Sequence, residues 1–276
     1  MKPLPIRLLR SLTFVVGAGL LLGIALMAAL GPWLYPQGPW TVVGTPMTWP
    51  GADWSVPLGT DALGRDILAG LLHGSRVSLL IGGAATLVAL CVGIAVGTLT
   101  GYFGGWVDDV LMRLADAVQT VPPFLLAIVV VLIVNPSVAS IVGAIALISW
   151  PTVARLVRAE FMRLRDADFV SACRLMGMSP ARIILVQMLP NAIPPIVVSA
   201  SIMVASAILI ESGLAFLGLG DPNVISWGNM VGLGRSDLRA GWYLVVIPGL
   251  AIMVSVLSLN LLGDGLNDAL NTRLDR

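Results

Sequence analysis

Residues 166–191 read DADFVSACRLMGMSPARIILVQMLPN, a charged and punctuated stretch lying between long runs of Ala, Val, Ile, Leu and Gly. Its punctuation is that of two short helices. Asp166 is placed to cap a first helix and Gly177 to end it. Ser179 is placed to cap a second, with Pro180 in its first turn and Pro190 interrupting before the next apolar run. In the first helix Phe169, Ala172, Cys173 and Met176 fall at i, i+3, i+4 and i+7, an apolar stripe about two turns long. Two turns are marginal alone in water, so the stripe needs a surface to press against. A helix lying on the inner leaflet and a knob docking into a cytosolic partner both meet that need.

The chain around this stretch is built for lipid. The AVILMFWYC set makes up 57% of its 276 residues, and the 30 glycines raise the apolar share to about two-thirds, against about 45–50% in soluble domains. Charged residues are 11%, where about 25% is usual. Six segments are long and apolar enough to cross some 30 Å of hydrocarbon: 11–31, 77–100, 114–134, 138–158, 192–215 and 243–262. The first exceeds the apolar core of a cleaved signal and reads as a retained helix. The fold class is therefore all-α, a polytopic membrane protein with six transmembrane helices.

The distribution of basic residues sets the direction. With the N-terminus inside, the inner side carries Lys2, Arg7, Arg10, Arg113, Arg155, Arg158, Arg163, Arg165, Arg174, Arg182, Arg273 and Arg276. Only Arg65, Arg76, Arg235 and Arg239 fall outside. Both termini and the 166–191 stretch are thus expected on the cytoplasmic face.

Several function classes drop out. A net charge of +1 with no basic run gives no footprint for nucleic acid. The one lysine, Lys2, rules out a Walker A loop, which needs a lysine after its glycines. His73 has no neighbouring ligand residues and reads as an interfacial histidine. Cys91 and Cys173 lie in different environments, so no disulfide is expected. No catalytic cluster, metal site or cofactor is indicated.

Inside the second span, Ala85, Ala89, Gly93, Gly97 and Gly101 recur every fourth residue, a ridge that lets another backbone approach closely. Prolines at Pro122–Pro123, Pro151, Pro194–Pro195 and Pro248 allow kinks. Ahead of the second span, Thr60 is a plausible cap for an amphipathic helix ending at Gly74 along the outer interface. The segment 216–238 is rich in turn signals, and Trp227 and Trp242 suit an interfacial belt. Glu211 is a lone carboxylate deep in a span. It is a candidate pathway or gate residue, or else a hydrogen-bonded packing residue.

The 166–191 stretch resembles the EAA loop of bacterial ABC importer permeases, whose pattern is Glu-Ala-Ala, three residues, Gly, nine residues, then Ile-x-Leu-Pro. Ala172, Gly177, Leu189 and Pro190 match it, while Ser171, Cys173 and Gln187 depart from it. Further motifs extend the likeness to nearly the whole chain: PLGTD and LGRD within 57–66, GYFGGWVDDVLMRLAD at 101–116, WPTVARLVRAE at 150–160, FLGLG at 216–220, SWGNM at 226–230 and NLLGDGL at 260–266. In order and spacing they resemble the second permease subunit of dipeptide/oligopeptide/nickel importers.

The resemblance implies a type I ABC importer permease fold in a bacterial inner membrane. It implies an N-terminal part (1–76: first helix, outer loop, interfacial helix) and a permease domain (77–276) with a coupling loop at about 159–190. The coupling residues would be Asp168, Phe169, Ser171, Ala172, Cys173, Met176, Gly177, Leu189 and Pro190. The partners would be a second permease, two cytosolic ATP-hydrolysing subunits and an external substrate-binding protein. The rival reading, a self-contained secondary transporter or channel, expects paired intramembrane charges and internal repeats, and neither is evident.

Overall fold

In a computed structural model, residue 8 and residues 11–270 are described; Lys2, Arg7, Arg10, Arg273 and Arg276 lie outside them. The described chain is helical apart from loops and two isolated β-bridges. Helix α1 spans Leu12–Leu34, α2 Ile67–Phe103, α3 Gly105–Thr120, α4 Pro123–Val134 and α5 Val138–Arg165. A short α6, Asp168–Leu175, is followed by α7, Pro180–Phe216, then by α8, Trp227–Gly234, and α9, Tyr243–Leu270. Five of these helices are long and apolar enough to cross a membrane. The sixth expected span, 114–134, is broken. α3 and α4 meet at 87° across Val121–Pro122, because Pro122 and Pro123 supply no N–H to continue the ladder.

The centre of the bundle is the crossing of α2 and α5. The small-residue ridge lies here: Ala85 and Ala89 are fully buried, and Gly93, Gly97 and Gly101 are buried too. A Cβ on Gly97 would stand 2.5 Å from the Ala154 carbonyl oxygen and 2.7 Å from Val157 Cβ; one on Gly101 would stand 2.5 Å from Phe161 Cβ. On α5 the facing residues Trp150, Val153, Ala154, Val157, Phe161 and Leu164 repeat at helical spacing and are all buried. α1 crosses α9 by the same device, with Gly17 against the Ser258 carbonyl and Gly265 against Phe14.

Two expectations about the outer side are corrected. Thr60 does not cap a helix. Its buried hydroxyl donates to the Thr45 carbonyl at 2.6 Å and accepts from the Thr48 N–H at 2.9 Å, at the centre of a folded outer lobe. The cap of α2 is Asp66, whose carboxylate accepts from the Leu68 N–H at 2.8 Å. Gly74 ends nothing: it is a buried position within α2 where Trp227 packs. The interfacial helix and the second span are one continuous helix, so the 76/77 division falls inside it. His73 also does more than sit at the interface, since its Nε2 lies 3.0 Å from the Tyr35 carbonyl oxygen and ties α2 to the end of α1.

The α2–α5 crossing generates a paired prediction. Gly97→Ala introduces overpacking of about 1–3 kcal/mol and lowers the unfolding temperature of the detergent-solubilised protein; Gly97→Leu abolishes recovery of folded protein. Gly83, on the same helix, has nothing within 4 Å of its Cβ position. Gly83→Ala therefore keeps wild-type stability or gains slightly from helix propensity.

Candidate functional site: the polar loop between α5 and α7

The loop is held by its own sequence and by a floor that the spans supply. Asp166 does not cap α6; it closes the end of α5, and the N-cap position belongs to Ala167. Asp168 occupies the first turn, where a carboxylate complements the N-terminal end of the helix dipole. At the other end, the Gly177 N–H donates to the Arg174 carbonyl at 3.0 Å and the Met178 N–H donates to the Cys173 carbonyl at 3.1 Å. Gly177 has φ +72°. Together these bonds and the left-handed glycine form a Schellman closure, as the glycine's position in the sequence requires.

The apolar stripe is divided between two faces. Val170 and Cys173 turn inward, into a cluster with Phe161 and Leu164 of α5 and Ile183 and Met188 of α7. Phe169, Ser171, Ala172 and Met176 are exposed, and Leu175, absent from the expected stripe, is 90% exposed. Cys173 is thus an anchor and not part of a docking face, and Val170 shares that role. A helical wheel alone could not choose between the faces, because the floor comes from residues of α5 and α7, outside α6 itself. Arg174 adds a second tie, its guanidinium lying 5.6 Å from the centre of the Tyr102 ring at the end of α2.

Beyond the loop, Ser179 occupies the N-cap position without a side-chain capping bond, and Pro180 begins α7 as expected. Pro190 does not interrupt. Residues Ile183–Met188 form a π-helical turn, and the Leu189 N–H reaches back to the Ile184 carbonyl. The wider turn directly before Pro190 takes up the backbone mismatch that its ring and missing N–H create. Leu189 and Pro190 therefore lie inside a continuous helix running from residue 180 to residue 216.

Glu211 lies in α7, 1% exposed. The Ser226 hydroxyl donates to its Oε1 at 2.6 Å, and the same Ser226 oxygen accepts from the Asn229 N–H at the start of α8. Next to it the Trp227 N–H donates to Ser78 Oγ, and Trp227 Nε1 donates to the Leu71 carbonyl at 2.9 Å. Glu211 is thus joined to the short helix α8 and through it to α2, an arrangement that fits the packing reading.

With this geometry in view, comparison with known proteins gives the family. Residues 93–276 match the model of the binding-protein-dependent transport system inner membrane component. The chain belongs to that family. Among this permease's relatives, the Di/tripeptide transport system permease protein DppC of Pseudomonas aeruginosa is 40% identical, over 91% of this chain and 85% of that protein. The Dipeptide transport system permease protein DppC of Haemophilus influenzae is 37% identical, over 94% and 90%. A putative peptide transport system permease protein of Brucella suis is 38% identical, over 97% and 90%. Among solved structures, a chain of the MetNI methionine ABC transporter in an inward-facing conformation superposes with a TM-score of 0.58 at 17% identity, covering 70% of this chain and 93% of that one. That likeness is one of fold. The permease is a multi-pass inner-membrane component of an ABC importer, a transport subunit and not an enzyme, working with other transport subunits.

The division of the stripe predicts a labelling contrast. In a chain with Cys91 replaced by serine, native Cys173 reacts slowly with maleimide in detergent, because its thiol is buried. Leu175→Cys in the same background reacts rapidly. In sealed cells a membrane-impermeant maleimide leaves Leu175→Cys unmodified, and opening the inner face exposes it; labelling from outside would reverse the orientation.

Proposed function

We propose that this permease forms, with a second homologous permease, the path by which peptides or a related small solute such as nickel enter the cell, and that α6 is the element through which ATP hydrolysis drives it. The relatives named as peptide permeases support the solute class. In this reading two cytosolic ATP-hydrolysing subunits and an external substrate-binding protein complete the assembly. Both termini and α6 face the cytoplasm, in keeping with the excess of basic residues on that side. The permease domain would comprise residues 77–276 with its coupling loop at about 159–190, and residues 1–76 would form an N-terminal part joined to it through the continuous helix α2.

The observation that carries the reading is the exposed tip Leu175–Met176, 90% and 71% exposed, on a helix otherwise anchored from beneath by Val170 and Cys173. Large apolar side chains displayed on a rigid, water-facing element mark an interaction site. The ATPase subunits would receive this tip together with Phe169, Ser171 and Ala172. Asp168 would hold the first turn of α6, and Gly177 would fix the angle at which the tip is presented. Because α7 is continuous from Pro180 through Leu189 and Pro190 to Phe216, a displacement of α6 would pass into the membrane without a flexible linker. ATP would favour one arrangement of the ATPase pair, and loaded binding protein would favour its outside counterpart; such differential binding is what shifts a two-state equilibrium. Glu211 would serve as a positioning residue, holding the outer helix on α7.

Gly177 tests the coupling role. Nothing lies within 4 Å of a Cβ placed there, so the penalty of substitution is backbone strain alone, roughly 1–2 kcal/mol for a residue at positive φ. Gly177→Val, β-branched, shifts α6 out of its closure; Gly177→Asn, which tolerates the left-handed region, largely keeps it. Insertion and yield stay at wild-type levels in both. In reconstituted importers Gly177→Val lowers solute uptake per ATP hydrolysed severalfold, and Gly177→Asn restores most of it. Equal coupling in wild type and Gly177→Val would remove α6 from the mechanism.

A further inference from the structure

The broken span leaves an unusual surface. α4 has 12 residues, about 18 Å of helix, so its lower end lies about 18 Å below the outer end of the pair α4–α5. A second measure agrees. Gln119 Nε2 donates to Thr152 Oγ1 at 3.4 Å, and Thr152 stands 14 residues below Val138 along α5, about 21 Å. In a hydrocarbon layer of about 30 Å, both place the bend well inside the membrane, on the inner half.

At that depth the chain exposes what lipid does not accept. Residues 120–125 are all exposed. The last carbonyls of a helix have no partner within it. Here the Thr120 hydroxyl takes one of them, the Ala117 carbonyl, at 2.7 Å, while Pro122 and Pro123 have no N–H to offer the others. Just below, Arg155 Nη2 and Asp116 Oδ1 pair at 2.5 Å with their side chains 49% and 62% exposed. The nearby Arg158–Asp108 pair, doubly bonded at 2.5 Å, is by contrast mostly covered, at 32% and 17% exposed. Non-helical backbone at membrane depth persists only where protein covers it or water reaches it, and half-exposed charges require the second.

We infer that the α3–α4 elbow, with Thr120 at its apex and the Gln119–Thr152 and Asp116–Arg155 pairs beside it, is this chain's wall of the water-filled solute pathway. The inference rests on the importer reading and adds a location to it. Glu211, sealed among α7, α8 and α2, is not part of that wall. The wall carries hydrogen-bonding groups and both signs of charge, which suits a polar or zwitterionic solute and disfavours an apolar one. Leu87, near the middle of α2 and 63% exposed, lies in an apolar stretch at membrane depth and serves as the comparison.

The test adds one cysteine at a time, at Thr120, Gln119 or Leu87, to the Cys91→Ser chain, with the parent chain as the blank for the remaining Cys173, each assembled in the complete importer in membrane vesicles. Uptake and recovery of the ATPase subunits are measured first, so loss of the assembly is seen separately from loss of the pathway. A charged, lipid-insoluble methanethiosulfonate is then applied to both faces. A thiol in hydrocarbon has a raised pKa and little thiolate, so Thr120→Cys and Gln119→Cys are expected to react at least about tenfold faster than Leu87→Cys, each pK unit being tenfold in thiolate. Modification at either elbow position is expected to reduce dipeptide uptake at least about fivefold, and saturating dialanine supplied with the binding protein to slow the labelling. Reactivity at the elbow no greater than at Leu87 overturns the inference, as does full modification that leaves uptake unchanged. If one elbow variant fails to assemble, the other decides by the same two criteria.

Discussion

The closeness of α2 and α5 is the constraint on which the other contacts depend. In lipid there is no hydrophobic drive to press two apolar helices together, so association relies on packing and on backbone approach. The column Ala85, Ala89, Gly93, Gly97, Gly101 supplies that approach, and the buried face of α5 from Trp150 to Leu164 fills it. Once α5 is seated, its inner half carries much else. Arg158 and Arg155 hold α3 through Asp108 and Asp116, and Phe161 and Leu164 make part of the floor on which α6 rests.

From that floor the 166–191 loop acquires a shape that short helices in water lack. Two turns gain little from their own hydrogen bonds. α6 is instead pinned at Val170 and Cys173, closed at Gly177 and braced by Arg174 on Tyr102. The π turn before Pro190 then joins the loop to a membrane helix with no break. A segment so connected has no flexible linker between it and the membrane helix, which is what the proposed coupling role requires.

The opposite end of the bundle is organised by polar contacts instead. Thr60 gathers the lobe between α1 and α2, and the Tyr243 hydroxyl donates to the Thr48 and Thr60 carbonyls at 3.1 Å, fastening that lobe to α9. The Glu211–Ser226 bond and the Trp227 contacts fasten α8 to α7 and α2. Thr60, Tyr243, Glu211, Ser226 and Trp227 each have a specific buried partner, and these bonds hold the lobe and α8 on the bundle in one arrangement.

Composition and apolar run length by themselves determined the lipid environment and nearly all the spans, because a membrane helix must satisfy its backbone internally and present about 20 apolar residues. The small-residue ridge and the left-handed glycine at 177 were equally legible, since both follow from a missing Cβ. The ordered motifs pointed to the permease family before any fold was drawn. Local patterns misled wherever a distant partner outweighed them. Thr60 looked like a cap until Thr45, Thr48 and Tyr243 claimed it, and Gly74 looked like a stop until Trp227 packed there. Pro190 looked like a break until the π turn absorbed it, and Cys173 looked like a docking residue until Phe161 and Met188 enclosed it. The 87° bend at Val121–Pro122 needed the tertiary structure too: the two prolines permit a kink, but its size and the depth at which it opens are decided by the seat of α3 on Arg155, Arg158 and Thr152.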